Sequence, residues 1–159
     1  MTIAIGDKIP EATLQTMGNE AMQEISTTAF FSGKRVVLFG VPGAFTPGCS
    51  RVHLPGFIDH VAQFQEKGID TVACMSVNDA FVMEAWGAMQ GAGEIVMLAD
   101  GNASFTQALG LEMDASNFGM GKRCQRFSML VQDGVVEKFF AEKGGKVTVS
   151  SAENLLSEL

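Results

Sequence analysis

The chain has 159 residues, of which 47% are hydrophobic and 18% charged, and a formal net charge of −7. This length and composition predict one folded domain over residues 1–159 with a substantial core, and they exclude a disordered chain. The acidic balance, with 11 Lys and Arg dispersed along the sequence, argues against a nucleic-acid partner, because phosphate binding demands clustered cations.

The opening MTIAIGDKIPEATL lacks the basic start and apolar run of a targeting segment. No apolar run elsewhere is long enough to span a bilayer, so a cytoplasmic protein without a membrane partner is expected. Cys49, Cys74 and Cys124 are odd in number, widely spaced and without a C-x-x-C pair. That pattern gives poor support to a disulfide framework, a zinc site or a two-cysteine redox hairpin, and predicts free thiols in a reducing compartment.

In chain order, the first clear element is RVVLFGV (35–41), a continuous apolar run of the kind that forms a strand buried on both faces. Leu54, Phe57, Ile58, Val61 and Phe64 then recur at helical spacing, with Pro55 expected to kink the helix rather than end it. IDTVACMSV (69–77) repeats the strand signature. Phe81, Val82, Ala85, Trp86 and Met89 form a second helical stripe, for which Asn78 or Asp79 is a suitable cap. EIVMLAD (94–100) reads as a third strand, and residues 102–110 as a short helix closed by Gly110. Residues 125–140 read as a hairpin turning at Asp133-Gly134. Residues 150–159 read as a terminal helix in which Ser150 and Glu153 have capping-box spacing. The order β-α-β-α-β-α-β-β-α predicts an α/β domain with a mixed, thioredoxin-like sheet flanked by helices.

The stretch VPGAFTPGCSRVHLPGF (41–57) holds three of the four prolines around one cysteine. Pro42 ends the first strand, and ligand chemistry in open α/β sheets gathers beyond the carboxyl ends of strands. Thr46 is a favourable N-cap, Pro47 fits the first helical position, and Cys49 then falls in the first turn. There the helix dipole favours a thiolate, and the N–H groups of Gly48 and Cys49 are free to bind an oxygen of a substrate. Gly43 and Gly48 leave room for a small molecule to approach the backbone. The same residues also fit a cysteine that serves only as a small hydrophobe at a loop-to-helix junction. His53, four residues on, reads as a hydrogen-bonded structural histidine more readily than as a catalytic imidazole.

PGAFTPGC (42–49) matches the P-x-x-x-T-x-x-C signature of the peroxiredoxins, and the longer stretch resembles their type II, or five-type, group. CMSVNDAFVMEAW (74–86) and RFSMLVQDG (126–134) continue the resemblance through nearly the whole chain. It implies a thioredoxin fold with peroxiredoxin-type additions and no metal, flavin or haem cofactor. By position, Cys49 is the peroxidatic nucleophile that reduces a hydroperoxide and becomes a sulfenic acid. Thr46 positions the peroxide, Arg126 supplies fixed positive charge, and Pro42 shields the sulfur. Strand alternation puts Arg126, Ser128 and Leu130 on one face and Phe127, Met129 and Val131 on the other. Arg126 is then an inward guanidinium in need of a counter-charge. Lys122 and Arg123 read as solvated loop charges.

The sulfenic acid must be resolved by a thiol. Val149 stands near where some relatives carry a resolving cysteine, so that route is closed. Cys74 has the separation used by other relatives but lies mid-strand, and Cys124 has no matching role. The expectation is a one-cysteine cycle with glutathione, with or without glutaredoxin, as the external reductant. Thioredoxin, a Cys49–Cys74 cycle and a peroxide-sensing relay remain as alternatives. A homodimer is implied, with Phe45 and Phe81 as candidate contact aromatics.

Overall fold

The computed structural model describes residues 1–159. Its centre is a seven-stranded sheet ordered β2-β1-β5-β4-β3-β8-β9. The three apolar runs form its parallel middle: β3 (Arg35–Gly40), β4 (Thr71–Ser76) and β5 (Val96–Ala99). β8 (Phe127–Gln132) runs antiparallel to β3 and is joined by a tight hairpin to β9 (Val135–Ala141). The turn residues Asp133 and Gly134 both have positive φ, 48° and 79°, as a two-residue hairpin turn requires.

The opposite edge went unread in the sequence. β1 (Thr13–Met17) and β2 (Met22–Ser26) form a hairpin that meets β5 through the Gln15–Ala99 pair, followed by the single turn α1 (Thr27–Phe31). Of the ten strand residues only Leu14 is fully buried, so no apolar run marks these strands. A second, two-stranded sheet pairs β6 (Glu112–Asp114) with β7 (Lys122–Cys124) around a 3₁₀ turn at Ser116–Phe118.

Helices cover both faces. α2 (Leu54–Glu66), α3 (Ala80–Gln90) and α5 (Ala152–Ser157) pack on the face that carries Val37, Phe39, Cys74 and Leu130. α1 and α4 (Ser104–Leu109) pack on the other, with Val36, Leu38, Met75, Phe127 and Met129. Phe57 of α2 stacks on Phe39 of β3, with ring centroids 4.0 Å apart, and on Phe64 at 5.7 Å. Asp79 caps α3, its Oδ1 accepting from Val82 N at 2.8 Å, and Gly110 ends α4 at φ 71°. The cap of α5 lies one residue later than expected: Ser151, not Ser150, accepts from Asn154 N at 3.1 Å.

Pro55 shapes the entrance to α2. Residues Cys49–His53 form a π turn closed by Leu54 N donating to Cys49 O, and α-helical geometry begins immediately afterwards. Proline has no N–H to donate, and its ring crowds the carbonyl four residues back; the wider turn relieves both. Truncating the stack behind this turn, Phe57→Ala, is expected to cost about 3–5 kcal/mol of stability, read as a lower urea midpoint. A change within experimental error would show that the stack contributes no packing energy.

Candidate active site

The loop after β3 is held from three sides. Val41 N donates to Met75 O at 3.0 Å, and Ala44 N donates to Asn78 Oδ1 at 3.0 Å. The same Asn78 oxygen accepts from Ser76 Oγ at 2.6 Å. Arg123 completes the bracing, with Nε donating to Met120 O at 2.9 Å and Nη1 to Pro42 O at 3.5 Å. Arg123 is therefore half-buried in β7 and not a solvated loop charge; a cation drawn onto backbone carbonyls leaves no periodic mark in sequence. Lys122 is exposed and pairs with Glu112 at 4.0 Å. Phe45, in the turn, takes a φ of 67°, a conformation that non-glycine residues adopt only when their surroundings hold them there.

Thr46 precedes Pro47 as the N-cap reading expects, but its side chain does not cap. Its hydroxyl donates to Gly43 O at 2.6 Å. The hydroxyl proton is thus committed backwards, and the oxygen's lone pairs are left to accept. Meanwhile the N–H groups of Gly48 and Cys49 donate to no protein acceptor. The two glycines also leave room for neighbouring side chains. A Cβ on Gly48 would sit 3.1 Å from Arg126 Nη2, and one on Gly43 would meet Met120, Thr46 and Arg123.

The Cys49 sulfur lies at the base of this arrangement and is fully buried. Arg126 enters from β8 and is 4% exposed. Its Nη2 donates to Cys49 Sγ at 3.4 Å and its Nη1 to His53 Nδ1 at 3.1 Å. His53 Nε2 lies 2.9 Å from the carbonyl of Ser150, which can only accept, so Nε2 carries the proton and Nδ1 offers its lone pair to the guanidinium. Burial first, and then Arg126, lower the His53 pKa to about 3, which makes this imidazole neutral and removes it as an acid or base near neutrality. None of the ion pairs of the protein includes Arg126. The buried guanidinium therefore has no carboxylate partner, and its terminal nitrogens donate to the His53 ring and to the sulfur of Cys49.

Ser50, beside Cys49, accepts from Trp86 Nε1 at 2.9 Å, which ties the reactive turn to α3 and places the single tryptophan against it. The other two thiols are of a different kind. Cys74 is fully buried in β4, and burial, followed by Cys49, pushes its thiol well above the usual range. Burial likewise lifts Cys124 to about 12. Its Sγ donates to Gln125 O at 3.2 Å. Both are protonated packing groups near neutral pH. No group of side chains in the structure has the makings of a metal site.

Comparison with known proteins agrees with this geometry. The Redoxin family model matches residues 4–156. Peroxiredoxin-2E-2, chloroplastic, of Oryza sativa is 47% identical, with 99% of this chain and 73% of the relative covered. Peroxiredoxin-2B of Arabidopsis thaliana is 45% identical over 99% of this chain and 98% of the relative. The crystal structure of reduced Prx3 in complex with hydrogen peroxide from Vibrio vulnificus superposes with a TM-score of 0.96 at 52% identity, with 99% of each chain covered. The chain belongs to the type II peroxiredoxins of the Redoxin family and is a thiol-dependent peroxidase with a thioredoxin-like fold.

The buried site has a pH signature. Unfolded, His53 takes up a proton below about 6.5, whereas in the fold it does so only at about 3. Between those values the unfolded chain binds more protons, so stability falls as pH drops through that window. The expected result is a urea midpoint that declines from neutral pH downward, with His53→Asn flattening the part just below about 6.5. A wild-type midpoint independent of pH there would contradict a neutral buried His53.

Proposed function

We propose that Cys49 is the peroxidatic nucleophile and that the Arg126 guanidinium, 3.4 Å from its sulfur, keeps it as a thiolate. That contact is the observation that carries the assignment. The thiolate attacks the terminal oxygen of a hydroperoxide, forming an S–O bond as the O–O bond breaks. The cysteine leaves as a sulfenic acid, and the departing oxygen takes a proton to become water or an alcohol. The charge that grows on the peroxide oxygens meets the free N–H groups of Gly48 and Cys49 and the guanidinium, while the Thr46 oxygen accepts from the peroxide hydroxyl. Pro42, half-buried at the end of β3, screens the sulfur from bulk water. With the sulfur fully covered, each oxidant must displace the loop slightly, which favours hydrogen peroxide and small alkyl hydroperoxides.

The reading continues with a one-cysteine cycle, within the single domain of residues 1–159, that is closed by an external thiol. Cys74 lacks both exposure and a thiolate, which argues against it as the resolving residue. Charge favours an anionic reductant. Residues 36–58, 115–132 and 143–152, the segments that hold Cys49, Arg126 and Gly145, contain no Asp or Glu, yet carry Arg51, Lys122, Arg123, Arg126, Lys143 and Lys146. On a protein of net charge −7 this local excess of cations suits glutathione, delivered free or through glutaredoxin, more than thioredoxin. Phe45, four residues before Cys49, and Phe81 are exposed aromatics, at 50% and 62%. They suit a homodimer contact of a cytoplasmic enzyme.

Steady-state peroxide consumption tests these roles. Cys49→Ser is expected to abolish turnover, and Arg126→Ala to lower kcat/KM for peroxide by about 10²–10³-fold. Cys74→Ser is expected to retain turnover with glutathione; loss of turnover in that variant would move the cycle to the Cys49–Cys74 pair. Rates with glutathione are expected to fall as salt rises, while those with an uncharged thiol hold steady. Equal salt dependence for both thiols would remove these cations from reductant recognition.

A further inference from the structure

Glu142 follows β9 directly and is 8% exposed. Its own N–H donates to Arg126 O at 2.8 Å, so the backbones of the two residues are joined where the β8–β9 ladder ends. Its carboxylate accepts four hydrogen bonds and no ion pair. Thr148 N and Thr148 Oγ1 donate at 2.6 Å each, and Ser150 N and Ser150 Oγ at 2.9 and 2.7 Å. These four bonds close residues 142–150 into a loop whose Gly145 carbonyl lies 3.8 Å from where a Cβ on Gly48 would stand. They also fix Ser150, whose carbonyl accepts from His53 Nε2. Ser150, which the sequence suggested as a cap, is instead held by its N–H and hydroxyl on Glu142, and Ser151 caps α5.

From these contacts we infer that Glu142 is a positioning residue for peroxide reduction, aiming the Arg126 guanidinium at Cys49 through Ser150 and His53. The inference rests on the catalytic reading of Cys49 and Arg126 given above. Each link has one permitted direction. A carboxylate has lone pairs for all four donors of Thr148 and Ser150 and nothing to donate. A carbonyl held by that loop can take only the Nε2 proton of His53. The tautomer so fixed leaves Nδ1 as a bare acceptor, and Arg126 Nη1 is drawn to it at 3.1 Å, which turns Nη2 onto the sulfur. Outer groups that lock an imidazole's tautomer commonly set the performance of the group it touches.

The relay does not move protons. Burial raises the Glu142 carboxyl, but the hydrogen bonds from Ser150 and Thr148 outweigh it and bring the pKa to about 2. His53 stays neutral above about 3. The titratable and charged groups gathered around the guanidinium are Cys49, His53, Cys74 and Glu142. Of these, His53, Cys74 and Glu142 each keep one protonation state near neutral pH, so a change in the pH–rate profile reports the aim of Arg126.

The test is single-turnover oxidation of Cys49 by hydrogen peroxide, followed through Trp86 fluorescence across pH. Glu142→Gln removes the charge and replaces one acceptor oxygen by an NH₂ group, so the backbone N–H groups of Thr148 and Ser150 lose a carboxylate acceptor and at least one of the four bonds must reverse or break. It is expected to slow oxidation about tenfold at neutral pH and to move the midpoint of the pH–rate profile upward, while circular dichroism shows a folded protein. Glu142→Asp keeps the charge and is expected to recover part of the loss. A folded Gln variant with the wild-type rate and profile would overturn the proposal. Should the Gln variant fail to fold, the ring ¹⁵N shifts of His53 in the wild-type protein decide. A neutral, Nε2-protonated ring supports the relay, and an Nδ1-protonated or exchanging ring overturns it. A wild-type protein that consumes no peroxide would instead refute the catalytic reading, and the His53 tautomer, read without activity, would still judge the relay.

Discussion

The constraint from which the rest of the site follows is a buried guanidinium that touches no carboxylate. Arg126 is 4% exposed, its Nε has no partner, and its two terminal nitrogens meet a neutral imidazole and a cysteine sulfur. Burying a charge in this way is unfavourable by several kcal/mol unless an opposite charge compensates it. The protein supplies acceptors of only two kinds there, a neutral imidazole and the sulfur of Cys49, and the proposed function takes that sulfur, as a thiolate, for the compensating charge. Cation and nucleophile therefore depend on one another. The same low-dielectric surroundings that make an unpaired Arg126 costly make the paired thiolate favourable and strengthen its interaction with a reacting peroxide.

The fold provides for this pair by convergence of distant segments. β3 delivers the loop that carries Cys49, β8 delivers Arg126 from the antiparallel side, and the π turn before Pro55 sets His53 beneath the guanidinium. Gly48 matters because the guanidinium occupies the space that its side chain would take. Asn78 and Arg123 hold the loop through its backbone, one from the end of β4 and the other from β7. Trp86 pins the residue after the nucleophile. The sheet's parallel centre thus contributes position, and the later hairpin contributes charge.

Much of this was legible in the sequence for identifiable reasons. The three central strands declare themselves because burial on both faces demands unbroken apolar runs. The facing of Arg126 follows from strand alternation, and the resemblance of residues 42–49 identifies the family. What was not legible is non-periodic or non-local. The β1–β2 hairpin buries only Leu14 fully and offers no apolar run. Thr46 has the spacing of a cap, but its hydroxyl turns to Gly43 O, a choice of rotamer that no spacing records. Ser150 and Ser151 are chemically alike, and only the carboxylate of Glu142, placed by the end of β9, decides which of them caps α5. Arg123 reads as a surface charge until the fold brings Pro42 and Met120 within its reach.

The mutual dependence of Arg126 and Cys49 is tested most directly by counting protons on sulfur in the reduced protein. Raman spectroscopy of the S–H stretch at neutral pH should find two thiols, those of Cys74 and Cys124, and Cys49→Ser should leave that intensity unchanged. A third S–H band that disappears in Cys49→Ser would show the sulfur protonated beside the guanidinium, and the account of the site would not stand.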